Sequence, residues 1–318
     1  MNPQSKKRLQ WLDQTVARRF RKLHPSLYQH LRWPVRKPYQ RSTITLLPPG
    51  GGIGDELLAS GIVAEINRRN PACTISLISR QTGFWKGHPK LVAITREAAN
   101  PDDVFDLGYR WQVPSSENIF TLIGERVGLS VSVLKPSLPP LSPSMELVAT
   151  LEKLPRPWLV VQTDSSAWTP NKNWGNSKWR QTVIELSRTY SVIETGNKSV
   201  LNTNDLHDRL VTVAGRTTLH DVAWLIGQSA VFTGPESGGM HFAAAFDKPA
   251  VIVFGGYTAP ENFPYPGNHG LFTELSCSPC WLYEPCPWNL KCLAAIRPES
   301  VIEKVSSLVA NGGPLLAD

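Results

Sequence analysis

The sequence predicts an α/β protein with two doubly wound, Rossmann-like domains that face a cleft. Strand-like apolar runs alternate with helix-like runs on both sides of a proline-rich linker, and in each half a glycine-containing turn follows a strand, where such folds bind ligands. The linker prolines are Pro136, Pro139, Pro140 and Pro143. A length of 318 residues suits two domains. We expect a helical arm at 1–41, a first domain at 42–148 and a second domain at 149–318.

The composition excludes several classes of protein. No apolar run approaches the length of about 18 residues that a membrane span requires, and no apolar segment follows the basic N-terminus as in a signal peptide. We therefore expect a cytoplasmic protein. The net charge is +7, but eleven Lys or Arg residues and a single acid lie within 1–41, so the remainder is slightly acidic. A nucleic-acid partner is therefore not expected.

The basic arm carries apolar residues at helical spacing. They are Leu9, Leu12, Val16, Phe20, Leu23, Leu27 and Leu31. One interpretation is an amphipathic helix that lies on the anionic inner face of the membrane, as a peripheral contact. The other is a helix packed on its own domain or on a second copy of the chain, which would make a homo-oligomer.

The most informative stretch of the second half runs from Val231 to Gly256. Its pattern predicts a strand, a tight turn, a small-residue helix and a second strand. Its turn and first helical residues include Glu236, Ser237, Gly238, Gly239 and His241. Free N–H groups at a helix N-terminus hold anionic groups, and glycines allow close approach. The alternatives are an ordinary packing unit capped by Ser237, and a hydrolase nucleophile elbow, although the first glycine of that motif is missing.

A second glycine-rich turn follows the predicted strand Thr43–Leu47 and brings Asp55 to the start of a helix. The turn lacks the final glycine of a dinucleotide fingerprint and the Lys-Ser/Thr pair of a P-loop. Asp55 is either a functional carboxylate or simply an acid at a helix N-terminus. Lys172 lies in the loop after the predicted strand Trp158–Gln162, where a lysine either meets phosphate or is solvated.

Four of the five cysteines lie within a proline-containing segment at 277–292. They are Cys277, Cys280, Cys286 and Cys292. In a cytosolic chain such a cluster is more typical of a metal site than of disulfides, and four thiolates suit structural zinc or iron. The alternative is a group of free structural thiols.

At these residues the chain resembles glycosyltransferase family 9, the heptosyltransferase-like inverting glycosyltransferases. The residues that stand at the positions of the family pattern are Glu236, Ser237, Gly238, Met240, His241, Lys248, Pro249, Phe254 and Gly255. The chain departs from the pattern at Glu236, where the family usually has Asp, and at His220, where members often carry a Glu that contacts the ribose.

The resemblance implies the GT-B fold and transfer of a sugar, with ADP-heptose as the favoured donor, to a hydroxyl of a bacterial glycan or lipopolysaccharide. A protein acceptor and a catalytically silent nucleotide-sugar-binding protein are the alternatives. It implies Asp55 as the catalytic base and no cofactor for catalysis. The donor-binding residues it implies are Lys172, Glu236, Ser237, Gly238, Gly239, His241 and His220. Part of the family carries an iron-binding cysteine segment, which favours metal at the cysteine cluster.

Overall fold

The computed structural model describes residues 37–96, 103–109, 116–165 and 169–311. The chain forms two parallel sheets with helices packed against them, so the predicted α/β fold is confirmed. Within these described ranges no helix is both long and apolar enough to cross a membrane. Residues 1–36 of the basic arm lie outside the described part of the chain, so the membrane contact and the self-association expected of that arm stay predictions.

The first sheet has four parallel strands in the spatial order β3-β2-β1-β4. Its elements are β1 Thr43–Leu47, α1 Ile53–Arg69, β2 Thr74–Ile78, β3 Ala93–Thr95, β4 Val104–Asp106 and α2 Ile119–Arg126. The central strand β1 buries Ile44 and Leu46 completely, and α1 covers the sheet with fully buried residues such as Leu57 and Ile62. Because the strands are parallel, all of them end at the same edge, where the glycine-rich turn enters α1.

The second sheet has six parallel strands in the order β10-β9-β8-β5-β6-β7. The elements of this half are α3 Met145–Leu151, β5 Trp158–Gln162, α4 Asn176–Ser187, β6 Ser191–Thr195, β7 Leu210–Thr212, α5 Leu219–Gln228, β8 Val231–Pro235, α6 Gly238–Ala245, β9 Ala250–Val253, β10 Asn268–Leu271, α7 Lys291–Ala295 and α8 Pro298–Ala310. The central strands are buried along their whole length, as expected for a sheet covered on both faces. Residues 129–144, which contain the predicted linker, carry neither helix nor strand, and we place the division between the two sheets there.

One cluster of buried apolar side chains continues from the first sheet into the second. Aromatic contacts cross between the two halves, with ring centroids 5.7 Å apart for Phe84 and Phe242 and 4.8 Å apart for Phe120 and Tyr265. Aromatic pairs of this kind contribute about 0.5–1.5 kcal/mol each beyond the area they bury. This shared core holds the carboxyl edges of the two sheets against a common cleft.

The sequence predicts a turn from Gly234 to Gly239 after β8, and the observed turn is shorter. The strand continues to Pro235 because its pairing with β9 extends to the Pro235–Val253 position, and α6 then begins at Gly238. Glu236 and Ser237 alone form the turn. Ser237 is therefore the N-cap residue, and the two glycines are the first helical residues.

Candidate active site

A cleft of about 360 Å³ lies between the carboxyl edges of the two sheets. The first sheet contributes the turn before α1 and Tyr109. The second contributes the ends of β5, β6, β8 and β9 and part of the cysteine-containing segment. Seven of the eight residues predicted to act in catalysis or donor binding line this cleft: Asp55, Lys172, Glu236, Ser237, Gly238, Gly239 and His241.

The N-termini of α1 and α6 meet at the floor of the cleft. A methyl group added to Gly238 would lie 2.6 Å from Cγ2 of Ile53, and one added to Gly54 would lie 3.2 Å from Cδ2 of His241. Glycine is therefore needed at position 238 for steric reasons, and a side chain at position 54 would press on the His241 ring. Two helix N-termini that converge on one space direct their positive ends and free N–H groups at it, which makes the floor suited to an anion.

The carboxylate of Asp55 accepts a hydrogen bond from the backbone N–H of Gly52 at 3.3 Å, so it helps to cap α1 and also faces the cleft. The neighbouring Glu56 is buried and fixes this turn. Its carboxylate accepts hydrogen bonds from the Ser79 hydroxyl at 2.7 Å and from the Trp85 indole N–H at 2.6 Å. Sequence reasoning did not single out Glu56, because its partners lie about twenty to thirty residues away.

Lys172 and Glu236 form an ion pair inside the cleft, with Nζ and Oε2 2.5 Å apart and side-chain exposures of 15% and 7%. Lys172 is therefore not a solvated loop lysine. The Thr258 hydroxyl donates to the same Glu236 oxygen at 3.1 Å, and the ammonium lies 4.8 Å from the centre of the Tyr257 ring. A buried pair of this kind holds both side chains in one geometry, since removal of either partner leaves a buried charge alone.

His241 is almost completely buried and lines the cleft. Burial, with a smaller effect from the charge of Lys172, lowers its pKa from 6.5 to about 3. Its Nδ1 shares a hydrogen bond of 2.8 Å with the Tyr265 hydroxyl. The imidazole is therefore neutral at physiological pH and acts in the cleft as a hydrogen-bonding group, not as a cation.

Three buried oxygens on the cleft wall have no hydrogen-bond partner within the described residues: Asp164 Oδ1, Thr195 Oγ1 and Ser237 Oγ. The serine occupies the N-cap position of α6, yet its side chain makes no capping bond. The capping interpretation of Ser237 is therefore wrong. Because buried polar groups are normally paired, three unpaired ones on one wall indicate a polar ligand. The same observation weakens the hydrolase alternative, since within the described residues no base forms a hydrogen bond with the Ser237 hydroxyl.

His220 is the predicted donor-binding residue that the structure does not bring to the cleft wall. Its ring packs against Phe84 of the first half with centroids 5.1 Å apart, and its buried Nδ1 has no partner within the described residues. His220 is the second residue of α5. His220 therefore contributes to packing between the two halves.

The structure does not support the predicted metal site. In the described ranges no group of three or more His, Cys, Asp or Glu side chains is arranged to hold a metal ion. The Cys292 thiol instead donates to the carbonyl oxygen of Gly255 at 2.8 Å. Burial is the main cause that raises the pKa of the Cys280 and Cys292 thiols, with a contribution from the neighbouring cysteines.

The segment 277–292 packs beside the cleft. The N–H groups of Cys280 and Trp281 donate to the carbonyl oxygens of Gly256 and Tyr257 at 2.8 and 3.0 Å. The segment thereby lies along the loop after β9 and brings Trp281 and Tyr283 to the cleft. Sequence reasoning missed these two aromatic residues because the cysteines dominated the interpretation.

Comparison with known proteins finds curated relatives that match part of this chain. Lipooligosaccharide heptosyltransferase 2 of Campylobacter jejuni serotype O:2 is 22% identical over 152 residues, which are 44% of this chain and 47% of that protein. The serotype O:6 protein of the same name is 22% identical over 149 residues, 43% of this chain and 47% of the relative. The chain thus spans about half the length of the curated relatives it matches.

Several solved structures share the fold. E. coli ADP-heptose lps heptosyltransferase II has a TM-score of 0.60 at 14% identity, covering 85% of this chain and 100% of that one. A family 9 glycosyl transferase from Veillonella parvula has a TM-score of 0.65 at 12% identity, covering 88% and 100%. The iron-containing dodecameric glycosyltransferase TibC of enterotoxigenic E. coli has a TM-score of 0.62 at 18% identity, covering 88% and 78%. The predicted GT-B architecture is therefore confirmed.

The match to a family sequence model shows the family to which this chain belongs. It is described as glycosyltransferase family 9 (heptosyltransferase), and it matches residues 101–284, more than half of the chain. The matched region contains Lys172 and the whole turn and helix from Glu236 to His241. This chain belongs to glycosyltransferase family 9.

Proposed function

We propose that this protein transfers a heptose from ADP-heptose to a hydroxyl group of a glycan acceptor, with inversion at the anomeric carbon. The curated relatives are named as heptosyltransferases and a structural neighbour as an ADP-heptose heptosyltransferase, which favours this donor. The observation that carries the proposal is the row of unpaired oxygens of Asp164, Thr195 and Ser237 on the cleft wall. They lie at the ends of β5, β6 and β8, at the carboxyl edge of the second sheet, where open α/β sheets bind nucleotides.

The diphosphate of the donor would lie at the N-terminus of α6. The N–H groups of Gly238 and Gly239, the Ser237 hydroxyl and the Lys172 ammonium face this region of the cleft. They can stabilise the charge that develops on the leaving group, so we propose that no divalent cation is required. Activity should therefore survive EDTA. Glu236, already paired with Lys172, would hold the ammonium in place.

The nucleoside would extend from the diphosphate towards the ends of β6 and β7. There the Asp164 carboxylate, which accepts a bond of 2.8 Å from the Asn197 N–H through Oδ2, has its Oδ1 unpaired within the described residues. A carboxylate oxygen and the Thr195 hydroxyl suit the hydroxyl and amino groups of a nucleoside.

Asp55 would act as the general base. It accepts the proton of the acceptor hydroxyl while the hydroxyl oxygen bonds to the anomeric carbon, and the bond between that carbon and the diphosphate oxygen breaks, so that ADP leaves with the electron pair. Attack from the side opposite the leaving group inverts the configuration. A positioned base of this kind contributes about 10²- to 10⁴-fold in rate.

The test is Asp55→Asn, with Glu65→Gln at the far end of α1 as the control. ADP release from ADP-heptose in the presence of glycan acceptors should fall by about 10²- to 10⁴-fold in the first variant and stay unchanged in the second. The ADP dissociation constant, measured by calorimetry, should change little in either variant.

Two outcomes would contradict the proposal. Wild-type protein that binds ADP-heptose but never releases ADP would be a silent binding protein. Tighter binding of UDP or GDP than of ADP would reject ADP-heptose as the donor.

A further inference from the structure

Four aromatic side chains form one side of the cleft, and we call them the aromatic wall: Tyr109, Tyr257, Trp281 and Tyr283. Each ring contacts the next one along the wall. Centroids are 6.3 Å apart for Tyr109 and Trp281, 5.5 Å for Trp281 and Tyr257, and 5.9 Å for Tyr257 and Tyr283. Tyr109 follows β4 of the first sheet, whereas the other three belong to the second half. The aromatic wall therefore joins both halves of the molecule along one face of the cleft.

Trp281, at the centre of the aromatic wall, is held in an unfavourable backbone conformation. Its φ is +53°, in the left-handed region that a bulky residue rarely occupies. The backbone bonds of Cys280 and Trp281 to the loop after β9, at 2.8 and 3.0 Å, keep it there. Strain that is maintained next to a cleft is typical of a side chain placed for a ligand. The indole remains half-buried, so part of it is accessible.

The position of the aromatic wall relates it to the acceptor and not to the nucleoside. Strand β9, which precedes Tyr257, lies on the opposite side of β8 and β5 from β6 and β7, where the nucleoside is proposed to lie. Strand β4, which precedes Tyr109, is the direct neighbour of β1, whose following turn carries Asp55. By this strand order, a group that rests on the aromatic wall would lie on the Asp55 side of the cleft, next to the diphosphate region at Lys172 and away from the nucleoside.

The chemistry of this face suits a neutral sugar. Aromatic rings offer flat apolar surfaces with polar edges, and the C–H face and hydroxyl rim of a pyranose match both. The charged residues that line the cleft in the described ranges are three carboxylates, Asp55, Asp164 and Glu236, and one ammonium, Lys172. This balance disfavours a second anion beside the diphosphate.

We infer that the aromatic wall is the acceptor subsite and that it binds a neutral pyranose ring stacked on Trp281. The inference rests on the proposed glycosyl transfer and specifies the class of acceptor. A peptide segment of a protein acceptor is the competing occupant, and the test below distinguishes it from a sugar.

The test uses saturation-transfer NMR on full-length protein saturated with ADP. The probes are methyl α-D-glucopyranoside, methyl α-D-mannopyranoside, glucuronic acid and a capped Gly-Ser-Gly-Ser-Gly peptide. At least one neutral methyl pyranoside should show transfer to its ring C–H protons. Its dissociation constant should rise by roughly 3- to 10-fold in Trp281→Ala, the factor expected for loss of one aromatic contact, and change less in Trp281→Phe.

Trp288→Ala is the matched control, since Trp288 lies in the same segment, is 48% exposed and does not line the cleft. It should bind the pyranoside as wild type does. The melting-temperature increase caused by ADP should be the same in all variants, which shows that each is folded with an intact donor site.

The other outcomes overturn the inference. They are the absence of transfer to either neutral pyranoside, equal binding in wild type and Trp281→Ala, or Trp281-dependent binding of the peptide or of glucuronic acid alone. Failure of ADP to bind, together with Trp281-dependent pyranoside binding, would instead reject the proposed donor and leave the sugar subsite standing.

Discussion

Replacing His241 with asparagine should make the protein less sensitive to acid. The native imidazole has a pKa of about 3, whereas an unfolded histidine titrates near 6.5. Between these values the unfolded chain binds a proton that the folded chain does not, so the contribution of His241 to stability is fully present above pH 6.5 and is lost as the pH falls towards 3. Asparagine keeps a polar group near the Tyr265 hydroxyl but cannot titrate.

The size of this effect on stability follows from the difference between the folded and unfolded pKa values of His241. Each pH unit well inside this window lowers the free energy of unfolding by about 1.4 kcal/mol. Because the unfolded histidine is only partly protonated near pH 6.5, the slope is smaller there, and the loss between pH 6.5 and 5.0 is about 1.7 kcal/mol. The free energy of unfolding of wild type should therefore fall by about that much more than that of His241→Asn over this interval. Both proteins also lose stability through other groups, which the comparison cancels.

Urea unfolding followed by far-ultraviolet circular dichroism, at several pH values from 7.5 to 5.0, measures this difference. His269→Asn is the control. Burial also lowers the pKa of His269, but that residue is only half-buried, so its variant should recover less stability at low pH. Parallel pH dependences of wild type and His241→Asn would refute the assignment of His241 as a buried neutral imidazole.

Two further substitutions test the cleft. Ser237→Ala should leave the free energy of unfolding of the free protein unchanged or slightly higher, because Oγ has no partner within the described residues. The same substitution should weaken ADP binding by about tenfold. An unaltered ADP affinity by calorimetry would show that this hydroxyl is not part of the donor site. Gly238→Ala should lower the free energy of unfolding by about 1–3 kcal/mol, since the new methyl would lie 2.6 Å from Ile53 Cγ2. Gly83→Ala, whose added methyl meets nothing within 4 Å, is its control and should change stability by no more than about 0.5 kcal/mol. Equal stabilities of the two glycine variants in urea would mean that α1 and α6 do not meet closely in solution.

Local sequence pattern predicted many elements of the fold. The apolar runs Thr43–Leu47 and Trp158–Gln162 were predicted as strands and coincide with β1 and β5. Strands β3, β7 and β10 were not predicted. They contain three or four residues each, and β10 reads Asn-His-Gly-Leu, which has no apolar alternation. Such strands form because neighbouring strands supply the pairing.

The cysteine segment shows where residue spacing misleads. Four cysteines in sixteen residues predict a metal site from ligand chemistry alone, but spacing along the chain does not fix where the sulfur atoms point. In the fold Cys292 is directed at the Gly255 carbonyl, and the residues that face the cleft are the aromatic ones between the cysteines.

The sequence by itself determined the two α/β sheets, the glycine turn before Asp55 and the turn and helix at Glu236 to His241, because these depend on short-range pattern and on motifs contained in one stretch of chain. Only the tertiary structure decided that Lys172 pairs with Glu236, that His241 is neutral, that His220 packs on Phe84 and that Tyr109 meets Trp281. Each of these depends on residues brought together from distant parts of the chain, and burial and charge act through that proximity and not through sequence order.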